Sequence, residues 1–144
     1  MALQNITPVE VVAGLIKLDD NFPGGAFTLV SKNTGKQFTY KLRKKLWLGV
    51  YYIHCFAMNR YLEFEYLGYY KDGKIIHKRA LNDSIKAKGL EWLIKQIKHG
   101  KTAQISEKSE ILHLGKCLKC GRKLTDSESI KLGLGSYCQK LLNS

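Results

Sequence analysis

Three of the four cysteines, Cys117, Cys120 and Cys138, fall near the end of a 144-residue chain, while Cys55 stands apart. Cys117 and Cys120 are two residues apart and are followed directly by Gly121. That spacing sets two thiolates on one side of a tight turn, at the bite a tetrahedral zinc ion needs. Glycine after the second cysteine relieves a turn that demands positive φ. A redox-active pair would need a βαβ context, which the flanking residues lack. The tail has too little apolar content to fold unaided, so the expected role of zinc is structural, a staple for the last module. Three cysteines leave one tetrahedral position. His113, four residues before Cys117, is the expected fourth ligand, with Cys55, His99 or a water as rivals. Cys138 is expected in the first turn of a terminal helix beginning at Ser136, where the helix dipole favours a thiolate. Away from the metal, Cys55 reads as a small buried hydrophobe.

The rest of the chain changes period twice. Residues 7–18 read as a short helix with Thr7 as N-cap, Pro8 at the first helical position and Glu10 at capping-box spacing. Residues 19–25 are rich in breakers and read as a loop. From Ala26 to Ile76 the pattern is that of strands. Phe38, Tyr40 and Leu42 alternate with Lys41 and Arg43, and turn chemistry at 33–35 and at Asp72-Gly73 closes hairpins. About five antiparallel strands are predicted, because the connections are too short for crossover helices. Leu90, Leu93, Ile94 and Ile97 then recur at helical spacing over 84–99, with Trp92 widening the stripe and Gly100 as the stop. Residues 101–110 are polar and aperiodic, fitting a linker or an edge strand. The expected organisation is an α+β protein in three segments. These are an N-terminal helix and loop (1–25), a sheet-plus-helix domain (26–101) and a zinc-finger module (102–144).

Charge narrows the class of partner. Lys and Arg number 24 against 12 Asp and Glu, a formal net charge of +12. The excess is mostly lysine, a hydrated point charge suited to polyanion backbone more than to reading base edges. Lys41, Arg43, Lys44 and Lys45 follow one strand, and Lys119, Arg122 and Lys123 are pushed outward by the metal turn. Aromatic residues sit among these charges. Tyr51/Tyr52 and Tyr69/Tyr70 are adjacent pairs, so on a strand one of each must face away from the core. Tyr51 and Tyr69 are the candidates for stacking on unpaired bases. No apolar run reaches the length of a membrane span, and no signal peptide is read at the N-terminus, so no membrane partner is expected and the expected location is the cytoplasm.

The run His113, Gly115, Cys117, Cys120, Gly121, Arg122, Leu124, Thr125, continuing to Ser129, Gly133, Gly135 and Cys138, resembles a zinc-finger family of unassigned function. That family occurs in small phage and prophage proteins and in larger bacterial ones. Ser127 and Ser136 stand where its pattern has proline, which loosens two turns and removes no ligand. The layout is similar to a treble clef: a metal knuckle, a hairpin, then a helix carrying a ligand. The resemblance extends over most of the chain after Ala26 and implies a phage-derived protein, but it brings no established activity.

An enzyme is not expected. There is no phosphate-binding loop, nucleophile elbow or zinc-protease helix. No histidine follows His113, and Asp126 and Glu128 are the only acids after it, too few for a metal-dependent nuclease. The expected function is a basic nucleic-acid-binding accessory protein, contacting DNA or RNA backbone with little sequence specificity. The alternative is a phage anti-defence protein, one that blocks a host protein or ribonucleoprotein complex that handles nucleic acid.

Overall fold

The computed structural model describes residues 5–17, 23–71, 74–76, 85–118 and 120–143. Its elements in chain order are β1 (Asn5–Thr7), α1 (Val9–Lys17), β2 (Pro23–Ser31), β3 (Gln37–Trp47), β4 (Val50–Met58), β5 (Phe64–Lys71), β6 (Lys74–Ile76), α2 (Ile85–Lys98), α3 (Thr102–Lys108), β7 (Ser109–His113), α4 (Ser127–Leu132) and α5 (Ser136–Asn143). The fold is α+β. The strands form one sheet in the order β1-β7-β2-β3-β4-β5-β6, and every neighbouring pair is antiparallel.

Among the described residues seven strands replace the predicted five. The two extra ones, β1 and β7, are short, and their pattern is visible only once they are paired. Thr7, expected to cap a helix, is instead the last residue of β1 and stands opposite Ile111; α1 begins at Val9. The polar stretch expected to be a linker or edge becomes helix α3 and then β7. β7 lies inside the sheet between β1 and β2 and buries Ser109, Ile111 and His113 on alternate positions. The sheet therefore draws strands from all three segments marked out on the sequence. The Asp72-Gly73 turn and residue 84, the expected start of the helix, lie outside the described residues.

Strand alternation gives the sheet two different faces. Phe27, Leu29, Tyr40, Leu42, Cys55, Ala57, Tyr70, Ile75 and Ile111 occupy one set of register positions and are buried. Helix α2 covers them with Ala87, Leu90, Leu93, Ile94 and Ile97, and α1 and α3 pack beside it. The fit is close. The Tyr40 hydroxyl donates to the Lys86 carbonyl at 2.6 Å, and a Cβ at Gly89 would lie 3.0 Å from that hydroxyl. A glycine inside a helix, unfavourable by propensity, is explained by that approach. The amide of Ile75 on the edge strand β6 donates to the Glu91 carboxylate at 2.6 Å, tying the sheet edge to α2.

One irregularity shapes the other face. Phe56 pairs with Tyr66 while Cys55 pairs with Gly68, so Leu67 is an extra residue and β5 is bulged. In a regular strand Tyr66 and Tyr69, three apart, would face opposite sides. The bulge puts both on the side away from the helices. Gly68 carries it at φ +142°, and a Cβ there would collide with the Ile76 carbonyl oxygen. Gly68→Ala should therefore cost about 2–3 kcal/mol in urea unfolding. A midpoint equal to that of the parent protein would contradict this account of the bulge.

Candidate functional site

The first candidate site is the thiol cluster. The Sγ atoms of Cys117, Cys120 and Cys138 all lie within 4.8 Å of one another. Sulfurs around a tetrahedral ion with bonds near 2.3 Å sit about 3.8 Å apart, so a small adjustment closes the set on a metal. Backbone bonds hold the knuckle in shape. Gly121 N–H donates to the Cys117 carbonyl at 2.9 Å, Cys117 N–H donates to the Arg122 carbonyl at 2.7 Å, and Lys116 bridges to Lys123. Gly121 has φ +78°, the positive value expected from the sequence. Cys138 comes from the first turn of α5. Cys117 and Cys138 are buried and Cys120 is exposed. Burial first, and then the neighbouring thiols of Cys117 and Cys120, push the Cys138 thiol up to about 12. Three thiolates at this spacing need a cation between them. The donor set fits a metal ion.

Helix α4 presses this knuckle against the sheet. Asp126 caps it, its carboxylate accepting from Ser129 N–H at 3.0 Å; the Ser129 side chain first, and then this backbone bond, hold the carboxyl below its usual range. The helix stops at Gly133 with φ +79°, where the Gly133 carbonyl accepts from Leu118 N–H at 2.9 Å. A Cβ on Gly133 would lie 2.8 Å from Thr7 Oγ1 and 3.2 Å from both His113 Cδ2 and Leu118 Cδ1. Glycine is needed here both for the turn and for close packing of the end of α4 against β1 and β7.

His113 is fully buried, but the structure does not bring it into the sulfur group, which among the described residues comprises the three cysteines. Its Nδ1 accepts from Gly115 N–H at 2.9 Å, and its Nε2 bonds to the Ile130 carbonyl. An amide can only donate and a carbonyl can only accept, so the proton sits on Nε2 and both ring nitrogens are used. His113 thus clamps β7 to α4. Cys55, one rival ligand, is buried in β4 with Sγ 3.7 Å from the Ile53 carbonyl oxygen; burial pushes its thiol up to about 12.

The second candidate site is the sheet face away from the helices. Lys41 pairs with Phe56, Arg43 with His54 and Lys45 with Tyr52; Phe56 pairs with Tyr66 and His54 with Tyr69. These residues share one set of alternating positions and are half-buried or exposed. Their rings meet in two groups on this face. Tyr52 and Tyr69 meet edge-on at 5.5 Å, and Tyr66 lies 5.4 Å from both His54 and Phe56. Lys41 Nζ sits 5.6 Å from the Phe64 ring centre. None of the outward positions of β3, β4 and β5 is Asp or Glu. Lys41 is lowered by burial and then by the charge of Arg43, and His54 is lowered by burial and then by Lys45. The crowded cations would be relieved by an anion laid among them.

Of the residues expected to touch nucleic acid, Lys41, Arg43, Lys45 and Tyr69 lie together on this face. Lys44 and Tyr51 pair with Ile53 and Leu46, the alternate register positions. Arg122 and Lys123 are exposed on the metal turn, and Lys119 lies outside the described residues. Sequence reasoning missed Tyr52, His54, Phe56 and Tyr66. Pairing Trp47 with Val50 across the two-residue Leu48-Gly49 turn, and counting back in twos to Lys45 opposite Tyr52, would have selected Tyr52 over Tyr51. Tyr66 depends on the bulge, which pattern alone does not place.

Residues 108–143, about a quarter of the chain, match DUF6011, a family of unknown function. The match takes in β7, the thiol knuckle, α4 and α5. No curated protein and no solved structure matches the chain. No helix among the described residues is long and apolar enough to cross a membrane.

Two outcomes follow from the cluster. Elemental analysis of the purified protein should find about one metal ion per chain, with the content falling on Cys120→Ser. His113→Ala should lower unfolding stability by about 2 kcal/mol, since it removes a buried ring and leaves two half-buried backbone groups without their partner, yet keep the metal in the folded protein. Loss of metal from folded His113→Ala would make the imidazole a ligand after all.

Proposed function

We propose that this protein binds unpaired DNA or RNA across the open face of its sheet, with a zinc ion on Cys117, Cys120 and Cys138 as a structural staple. The observation that carries the reading is the shared face. Lys41, Arg43 and Lys45 stand in register with Tyr52, His54, Phe56, Tyr66 and Tyr69, and no acid interrupts them. Bases stack on the rings, a contact every base can make, while phosphates lie against the cations. Duplex hides its base faces and cannot use the rings. Lysine-dominated contact gives affinity with little sequence preference. Thiolate ligands at knuckle spacing suit zinc, which when bound fixes the coordination of the turn and carries no redox chemistry. Its place is to hold α4 and α5 against the sheet while the chain's own side chains bind the strand.

Fluorescence anisotropy with short unpaired oligonucleotides at several salt concentrations tests this. Three phosphate contacts predict a slope of log K against log salt of about −2. Tyr66→Ala should weaken binding roughly 5- to 100-fold with the fold intact by circular dichroism. Absence of affinity at low salt, or a preference for blunt duplex over single strand, would contradict the proposal.

A further inference from the structure

The β3–β4 hairpin reaches beyond the sheet. β2 pairs with β3 as far as Arg43, and β5 pairs with β4 as far as Ile53. Among the described pairings, residues 44–47 and 50–52 have only each other. Four residues on a strand project this ribbon about 13 Å. Its end is apolar on both sides: Leu46, Trp47 and Val50 are each more than half exposed, and Leu48 is 87% exposed. A ribbon apolar on both faces has no side to turn inward.

The turn itself is chemically out of place. Leu48 and Gly49 form a two-residue connection with φ +51° and +78°. Such turns take Asn-Gly or Asp-Gly, because the first residue must enter the left-handed region. A branched apolar side chain is disfavoured there, and Leu48 recovers nothing by burial. It helps neither the turn nor the core. Trp47 and Val50 continue the same register positions as Lys45, Arg43 and Lys41, so the apolar tip ends an acid-free cationic track.

We infer that this tip is a wedge for nucleic acid. A strand lying on the sheet face runs toward the ribbon, and where it enters a duplex, Trp47 and Leu48 stack against the first base pair at the junction. Apolar wedges backed by cations act on base stacks in this way. The inference rests on the proposed single-strand reading and adds the preferred substrate, a duplex with an unpaired tail.

Competition binding with three probes tests it: the tail alone, the blunt duplex, and the tailed duplex. The tailed duplex should bind at least about 10-fold tighter than either part, a stacking contribution of the usual size. Leu48→Asn improves the turn, so the variant should melt at the same temperature or higher. It should keep the affinity for the tail alone and lose the junction preference. Equal affinity for tail and tailed duplex, or a preference that survives in Leu48→Asn, would overturn the wedge while leaving single-strand binding standing. No binding to any of the three probes would remove both readings. Parallel measurements with phosphatidylserine vesicles and by sedimentation complete the test. Leu48-dependent vesicle binding or dimer formation without junction preference would also overturn the wedge.

Discussion

The pairing of β7 between β1 and β2 is the contact on which the rest of the molecule depends. Five residues, Ser109–His113, join the N-terminal strand to the main sheet and lead directly into the thiol knuckle. His113 at the end of that strand is bonded on both ring nitrogens, to Gly115 and to the carbonyl of Ile130. A buried imidazole left half-satisfied would cost more than the bond it replaces, so the ring fixes β7 and α4 relative to one another. Gly133 then lets α4 close down on Thr7, His113 and Leu118. The thiol cluster and the sheet pairing thus meet in one small region.

That arrangement keeps the helices and the thiol knuckle on one side and, among the described residues, leaves the other side of β3, β4 and β5 uncovered. The open face is where strand alternation concentrates cations and rings. The helix side takes Tyr40, Leu42, Cys55 and Ala57, and the intervening positions are Lys41, Arg43, His54 and Phe56. A surface of that kind is an expensive way to be merely soluble: half-buried rings beside crowded cations sacrifice hydration without adding to the core. Binding a polyanion with planar groups answers both features at once. The exposed leucine in a left-handed turn at the end of the same track belongs with them, since it too weakens the isolated fold.

Legibility in the sequence followed the strength of local periodicity. β3, β4 and α2 were readable because Phe38, Tyr40 and Leu42, or Leu90, Leu93, Ile94 and Ile97, repeat at the period of their element. β1, β7 and α3 were not. Each is short, α3 buries only Ile105, and β7 owes its strand form to partners more than 70 residues away in sequence. The cysteine spacing led directly to the three sulfurs that meet. His113 was drawn in by proximity, yet its nitrogens are taken by backbone groups that no spacing rule reveals. Lys41, Arg43 and Lys45 were legible as a basic strand. Their ring partners depended on the hairpin register and on the Gly68 bulge.

The central claim is that the sheet face, and not the finger or the helix surface, carries the bound strand. Photocrosslinking of a 5-iodouracil oligonucleotide to the metal-loaded protein, read by mass spectrometry, measures this directly. The account predicts adducts on Tyr52, Phe56, Tyr66 or Tyr69. Adducts confined to the Arg122 and Lys123 turn, or to the lysines of α2, would contradict it.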